Sequence, residues 1–200
     1  MKKRNIDSDY FLYGIQGGRG SFNEQAINYY LQKQKIKKYK IKYLYTTLKV
    51  LKGLDKGETD FGLFAIENSV GGLVGESIQA MADYKFRIVE EFSILVRHFL
   101  MKRPEIGLAK IKTIMAHPQV LKQCQTTLAE KYPNLLLTSG KGNLIDTAQA
   151  AKALSAGRVS PNVAILGPES LSKMHDLEII GRDLQDSENN QTRFLLVKRH

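Results

Sequence analysis

FGLFAIENSVGG, residues 61 to 72, is the stretch on which the reading of this chain turns. Phe61 to Ile66 form an apolar run with the length and composition of a buried strand. The run ends abruptly in Glu67-Asn68-Ser69 and, after Val70, two glycines. A polar cluster at the end of a buried strand has two physical explanations. Either it caps the helix that follows, or it faces a ligand.

Working outward, the same alternation of short apolar runs and helical periodicity fills the chain. FLYGI (11 to 15) precedes a helix from Ser21 to Gln32, and the period-two Lys/Tyr segment ending at Tyr45 precedes the helix TTLKVLKGLDKG. FGLFAI is followed by a short helix around GESIQAMADY and by a long alternating segment from Phe86 to Met101. In the second half TIMA leads into PQVLKQCQTTLAEKY, NLLLTS into IDTAQAAKALSAG and NVAIL into PESLSKM, before LEII and the closing strand TRFLLVK. Strands alternating with helices predict an α/β architecture with mostly parallel sheets.

Composition narrows the function classes. With 42% hydrophobic and 25% charged residues, 200 residues can bury a real core, as one large domain or two closely joined lobes. The formal charge of +10 is compatible with nucleic acid, an anionic membrane or an acidic small molecule. Its densest run alternates Lys38, Lys40 and Lys42 with Tyr39, Ile41, Tyr43 and Tyr45, which describes a strand with one solvated lysine face and one buried aromatic face. That pattern argues against a nucleic-acid patch. No run approaches 18 apolar residues, and the start MKKRNIDSDY lacks the apolar segment of a secretory signal, so a cytoplasmic protein without a membrane partner is expected. The single cysteine, Cys124, has no partner for a disulfide or zinc site and reads as core filler. No histidine belongs to a metal-ligating cluster, and no cofactor is expected.

Several strand-to-helix corners share one device. In GGRGSFNEQA, Gly20 and its neighbouring glycines allow close backbone approach, and Ser21 with Glu24 forms an S-x-x-E capping box. Pro118 suits a first helical position, and Asp146-Thr147-Ala148-Gln149 marks another helix start. Such helix N-termini, with free N–H groups, favour anions.

IQGGRGSFNEQA, DFGLFAIENSVGGLVGES, AHPQVLKQC, DTAQAAK and NQTRFLLV, in this order and spacing, resemble the prephenate dehydratase family, which includes the arogenate dehydratases of plants. The resemblance runs from about residue 11 to the C-terminus. It implies two α/β lobes arranged like a type II periplasmic binding protein, with the active site in the cleft between them. The lobes are expected at 1–84 plus 182–200 and at 85–181, with the Phe86 to Met101 segment and the loop before Thr192 as crossovers. It implies further that Thr192 is the essential threonine, hydrogen-bonding the leaving hydroxyl, and that Asn68 and Gln123 orient substrate in the cleft. Glu67, Ser69, Gly20, Ser21, Thr147 and Arg193 are the accompanying substrate-binding candidates. Strand alternation, however, points the Arg193 side chain opposite to that of Thr192. The implied substrate is a small dianion and the implied reaction is decarboxylating dehydration of prephenate to phenylpyruvate, without metal or cofactor, in phenylalanine biosynthesis. A homodimer or higher homo-oligomer is expected.

The chain departs from the family pattern at Ala65, where proline is usual, at Ala116 and Asn23, where serine is common, and at Gln79, where aspartate is usual. Ala116 is expected to remove a hydroxyl from beside the cleft. Arogenate dehydratase, a non-aromatising prephenate decarboxylase and a non-catalytic anion-binding module are the alternatives; the intact Thr192-Arg193-Phe194 speaks against the last two. Many members continue beyond this motif into a phenylalanine-binding ACT-type domain, so catalysis insensitive to phenylalanine is expected.

Overall fold

The computed structural model describes residues 10–200. In chain order its elements are β1 (Phe11–Gln16), α1 (Phe22–Lys33), β2 (Tyr39–Tyr45), α2 (Thr47–Asp55), β3 (Phe61–Asn68), β4 (Gly72–Leu73), α3 (Gly75–Ala82), β5 (Phe86–Leu95) and β6 (Phe99–Lys102). There follow β7 (Thr113–Met115), α4 (Pro118–Gln123), α5 (Gln125–Lys131), β8 (Leu136–Thr138), α6 (Thr147–Ser155), β9 (Val163–Gly167), α7 (Ser170–His175), β10 (Glu178–Gly181) and β11 (Gln191–Arg199). Two sheets form two lobes. The first has the order β2-β1-β3-β11-β5 with β4 on β3, and the second the order β10-β6-β9-β7-β8.

The sheets are mixed, which corrects the expectation of mostly parallel pairing. β1 pairs in parallel with β2 and β3, and β7 with β8 and β9, but β11 is antiparallel to both β3 and β5, and β6 to both β9 and β10. The cause is the double crossing of the chain. β3 and β5 run toward the cleft and end there, so a strand that re-enters the first lobe from the cleft, as β11 does, has to run the other way. β6, entering the second lobe from the same place, does likewise. The alternating segment from Phe86 to Met101 is accordingly divided between the lobes: Phe86–Leu95 is an edge strand of the first sheet, and only β6 belongs to the second.

Alternation along β11 shows why the first sheet reads as continuous apolar runs. Phe194 and Leu196 pack with Tyr13, Ile15, Ile27 and Leu63 on one face, while Leu195 and Val197 pack with Val50, Leu54 and Phe64 on the other. A sheet covered on both faces needs apolar residues in both registers. On β2, Ile41 and Tyr43 join the first of these clusters, as the Lys/Tyr pattern predicts, but Tyr39 is 37% exposed. Cys124 is buried in the second lobe's core. There the helix predicted over 118 to 132 breaks into α4 and α5, because the amides of Thr126 and Thr127 donate to the Asp186 carboxylate, at 3.0 and 2.8 Å, like a fresh helix start.

The packing of α2 on β3 depends on Gly62. A Cβ there would lie 2.7 Å from Val50 Cγ1 and 3.2 Å from Val197 Cγ2. Gly62→Ala is expected to cost about 1–3 kcal/mol, or roughly 2–12 °C in Tm for a chain of this size. An unchanged melting temperature would contradict this close approach.

Candidate active site

A cavity of about 600 Å³ opens between the lobes, walled by the cleft ends of β3 and β11 on one side and by α4 and the start of α6 on the other. Of the residues singled out from sequence, Asn68, Gln123, Thr192, Ser21 and Thr147 line it together. Glu67, Ser69, Gly20 and Arg193 are not among its lining residues. Glu67 and Arg193 neighbour Asn68 and Thr192 on their strands, so the pleat turns them to the other face, where Arg193 pairs with both Glu67 and Glu91. Ser69 ties the β3 end to β11, donating to Asn189 O at 3.2 Å and accepting from Gln191 N at 3.0 Å. Gly20 has φ +88° and donates to the Glu24 carboxylate at 2.6 Å; its carbonyl accepts from Ser170 Oγ of the second lobe at 2.8 Å. The capping box is therefore offset by one residue: Ser21 Oγ accepts from Glu24 N, but Glu24 reaches back to Gly20 instead of Ser21.

Three further contacts hold the lobes together around the cavity. Gln119 Nε2 donates to the carbonyls of Gly71 and Gly72 at 2.9 and 2.8 Å. Gly18 N donates to Asp146, whose carboxylate also caps α6 by accepting from Gln149 N at 2.9 Å. Glycine at 71 suits the first contact, since a Cβ would lie 3.1 Å from Gln119 Nε2 and 3.2 Å from Gln123 Cγ, and both glutamine side chains would have to give by a few tenths of an ångström. The chain thus turns sharply after the polar end of β3, bringing the backbone of Gly71 and Gly72 against α4.

A buried amide chain runs through the back wall. Asn68 Oδ1 accepts from the backbone N–H of Val70 and Gly71 at 2.9 and 2.7 Å, and its Nδ2 donates to Asn190 Oδ1 at 2.7 Å and to Thr192 Oγ1 and the Gln191 carbonyl, both at 3.0 Å. Asn190 Nδ2 donates to Gln123 Oε1 at 3.0 Å, and the same oxygen lies 2.7 Å from His98 Nε2. Asn190 and His98 were missed from sequence. Asn190 opens the NQTRFLLV segment but was given no role there, and His98 stands in no motif.

The charged groups at the cavity are few. Lys49, exposed at the rim on α2, is the one lysine or arginine among its described lining residues. Glu76 also lines it, but its carboxylate is committed to the N–H groups of Thr47 and Leu48 and to Gln16 Nε2. Burial raises the Asp146 pKa against the lowering effect of its backbone hydrogen bonds. Burial likewise pushes the His98 imidazole down to about 4, keeping it neutral in ordinary buffers, and lowers His117, whose Nδ1 accepts from Gln119 N. Among the described residues no group of three or more His, Cys, Asp or Glu side chains is placed to hold a metal ion, and no helix is long and apolar enough to cross a membrane.

The departures from the family pattern now have locations. Ala65 lines the cavity and its N–H donates to Gln16 Oε1 at 3.0 Å, a bond that proline could not make. Asn23 lines the cavity with its Oδ1 buried and without a partner, and Gln79 is exposed on α3. Ala116 is not at the wall: it is 2% exposed among Leu100, Ile114, Val120 and Leu166. The structure therefore replaces the expectation of a missing cleft hydroxyl. Ala116→Ser is expected to lower stability by about 1–3 kcal/mol by burying a hydroxyl among apolar groups and to leave any turnover unimproved, as thermal melts and initial rates would show.

The family model for prephenate dehydratase matches residues 13–200. Prephenate dehydratase from Lactococcus lactis is 34% identical over 151 residues, covering 75% of this chain and 52% of that protein. The chain spans about half the length of such curated relatives. Among solved structures, prephenate dehydratase from Arthrobacter aurescens in complex with L-Phe is 27% identical with a TM-score of 0.79, covering 94% of this chain and 60% of that one. A Bacillus subtilis lipoprotein, 14% identical with a TM-score of 0.54, covers 95% of this chain and 83% of its own, and shares the two-lobed fold alone. Since the matched residues run from β1 through β11 and enclose the whole amide chain of the cleft, the chain belongs to the prephenate dehydratase family.

Proposed function

We propose that the cleft catalyses the decarboxylating dehydration of prephenate to phenylpyruvate, a carbon–oxygen lyase reaction of phenylalanine biosynthesis carried out in the cytoplasm. The observation that carries this is the environment of Thr192. Its oxygen accepts a hydrogen bond from Asn68, its hydroxyl proton has no acceptor among the described residues, and it lines the cavity. A hydroxyl so placed is a donor aimed at whatever occupies the cleft.

The chemistry asks for little more. The bond from the ring to its carboxylate breaks and CO₂ leaves; the electron pair becomes part of the aromatic ring while the para C–O bond breaks. The departing hydroxide takes a proton to become water. Aromatisation supplies the driving force, and the protein has to hold the dianion and stabilise charge on the leaving oxygen. Threonine alone is a poor acid. Thr192 is therefore assigned to hydrogen-bonding the oxygen as it becomes basic, with the proton ultimately drawn from solvent. Gln123 and Asn23 are placed to meet the substrate's polar groups, and Lys49 to balance a carboxylate at the mouth. Thr147, at the start of α6, is a further binding candidate.

One observation favours a second reading. Among the described lining residues two carboxylates, Glu76 and Asp146, both already accepting amide hydrogen bonds, stand against Lys49, a charge balance that suits the ammonium of arogenate better than the keto group of prephenate.

Incubating the pure protein with each substrate and following the aromatic product by ultraviolet absorbance tests both readings. Thr192→Val is expected to lower kcat on the order of a hundredfold to a thousandfold with a smaller change in KM, and Thr192→Ser to recover much of the loss. Near-normal turnover by Thr192→Val would make the threonine structural.

A further inference from the structure

We propose that Asn190 is a positioning residue, setting the direction of the amide chain so that Gln123 presents its N–H₂ and Thr192 its hydroxyl proton to the cleft. The inference deepens the proposed reaction and rests on it for its activity readout. The polarity follows from groups that have no choice. The Val70 and Gly71 amides only donate, so the Asn68 atom they meet is its oxygen, and the atom facing Thr192 and Asn190 is its nitrogen. Asn190 therefore accepts on Oδ1 and donates from Nδ2. An independent anchor agrees, because Asn190 Nδ2 also lies 3.3 Å from the Val96 carbonyl, which only accepts.

From Asn190 the direction passes to the other lobe. Gln123 accepts on Oε1, and His98, meeting the same oxygen, carries its proton on Nε2; its Nδ1 is left buried and without a partner. Gln123 Nε2 then has no acceptor among the described residues and is free to donate into the cavity that Gln123 lines. Asn190 is fully buried and is not among the cavity's lining residues, so it acts through its neighbours. It also belongs to one of the two chain crossings, and its carbonyl accepts from Val96 N of the other at 2.9 Å. Donor direction in both lobes is thereby referred to the hinge itself.

Asn190→Asp separates this role from mere packing. The shape and the acceptor for Asn68 remain, but an ionised carboxylate oxygen would face Gln123 Oε1 and the Val96 carbonyl, turning the Gln123 amide over. When protonated, the acid donates as the amide did. Burial without a cation places that protonation above the usual carboxylate range. Of the titratable groups packed nearby, burial keeps His98 neutral beside the native Asn190, Asp186 is bound to the amides of Thr126 and Thr127, and Glu67, Glu91 and Arg193 pair on the far face.

At pH 8 the variant is expected to lose roughly tenfold to a hundredfold in kcat/KM, with most of the deficit recovered toward pH 5 relative to wild type at each pH. Its Tm deficit should narrow in the same direction, because a carboxyl whose folded pKa is raised destabilises the fold as pH climbs through that value. Asn190→Leu should show a deficit with no recovery. A variant as active as wild type at pH 8, or a deficit equal at both pH values, overturns the proposal. If the wild-type protein converts neither prephenate nor arogenate, the proposed function fails while the Tm comparison still decides the role of Asn190.

Discussion

Two backbone N–H groups, those of Val70 and Gly71, converge on the side-chain oxygen of Asn68, and most of what the cleft can do follows from them. An amide side chain can ordinarily be turned over at little cost. Here it cannot, because a reversed Asn68 would set its N–H₂ against two donors in a buried place, each mismatch costing about 1–3 kcal/mol. With Asn68 fixed, the hydroxyl of Thr192 receives a hydrogen bond and keeps its own proton for the cleft. The turn that supplies the two amides also carries Gly71, whose missing side chain lets the second lobe's Gln119 and Gln123 approach.

The fold serves this arrangement through chain direction. β3 and β5 reach the cleft with their C-terminal ends, β11 begins there, and the two crossings lie side by side between the lobes. The catalytic candidates therefore come from a strand end, a strand start and a helix in the opposite lobe, and Asn68 and Gln123 both hydrogen-bond to Asn190 in one of the crossings. Electrostatics are subdued by comparison. Among the described residues the wall carries one exposed lysine and two carboxylates already occupied by amide donors, so directed neutral donors, more than net charge, define its inner part.

How much of this was legible in the sequence depended on how local the physics was. The end of an apolar run at Glu67-Asn68-Ser69 marks the cleft because burial and polarity change within a residue or two, and the elements themselves follow from periodicity. Asn68, Gln123 and Thr192, carried by the family resemblance, all reached one cavity. Arg193 and Glu67 did not, for a reason the pleat makes plain: neighbours on a strand face opposite ways. What could not be read was long-range. The antiparallel entry of β11 depends on where the chain returns from. The break at Cys124 depends on a carboxylate from Asp186, and the roles of His98 and Asn190 depend on two crossings meeting. Ala116 shows the converse hazard, a residue within a motif that points into the core.

The most direct test of this account is neutron diffraction on deuterium-exchanged crystals, which locates the exchangeable protons of the cleft. The expected result is one deuteron on the Asn68 nitrogen directed at Asn190 Oδ1 and the other shared between Thr192 Oγ1 and the Gln191 carbonyl, a deuteron on His98 Nε2 directed at Gln123, and the Thr192 deuteron turned toward the cavity. A Thr192 deuteron lying on the line to Asn68, or a Gln123 amide with its oxygen facing the cavity, would contradict it.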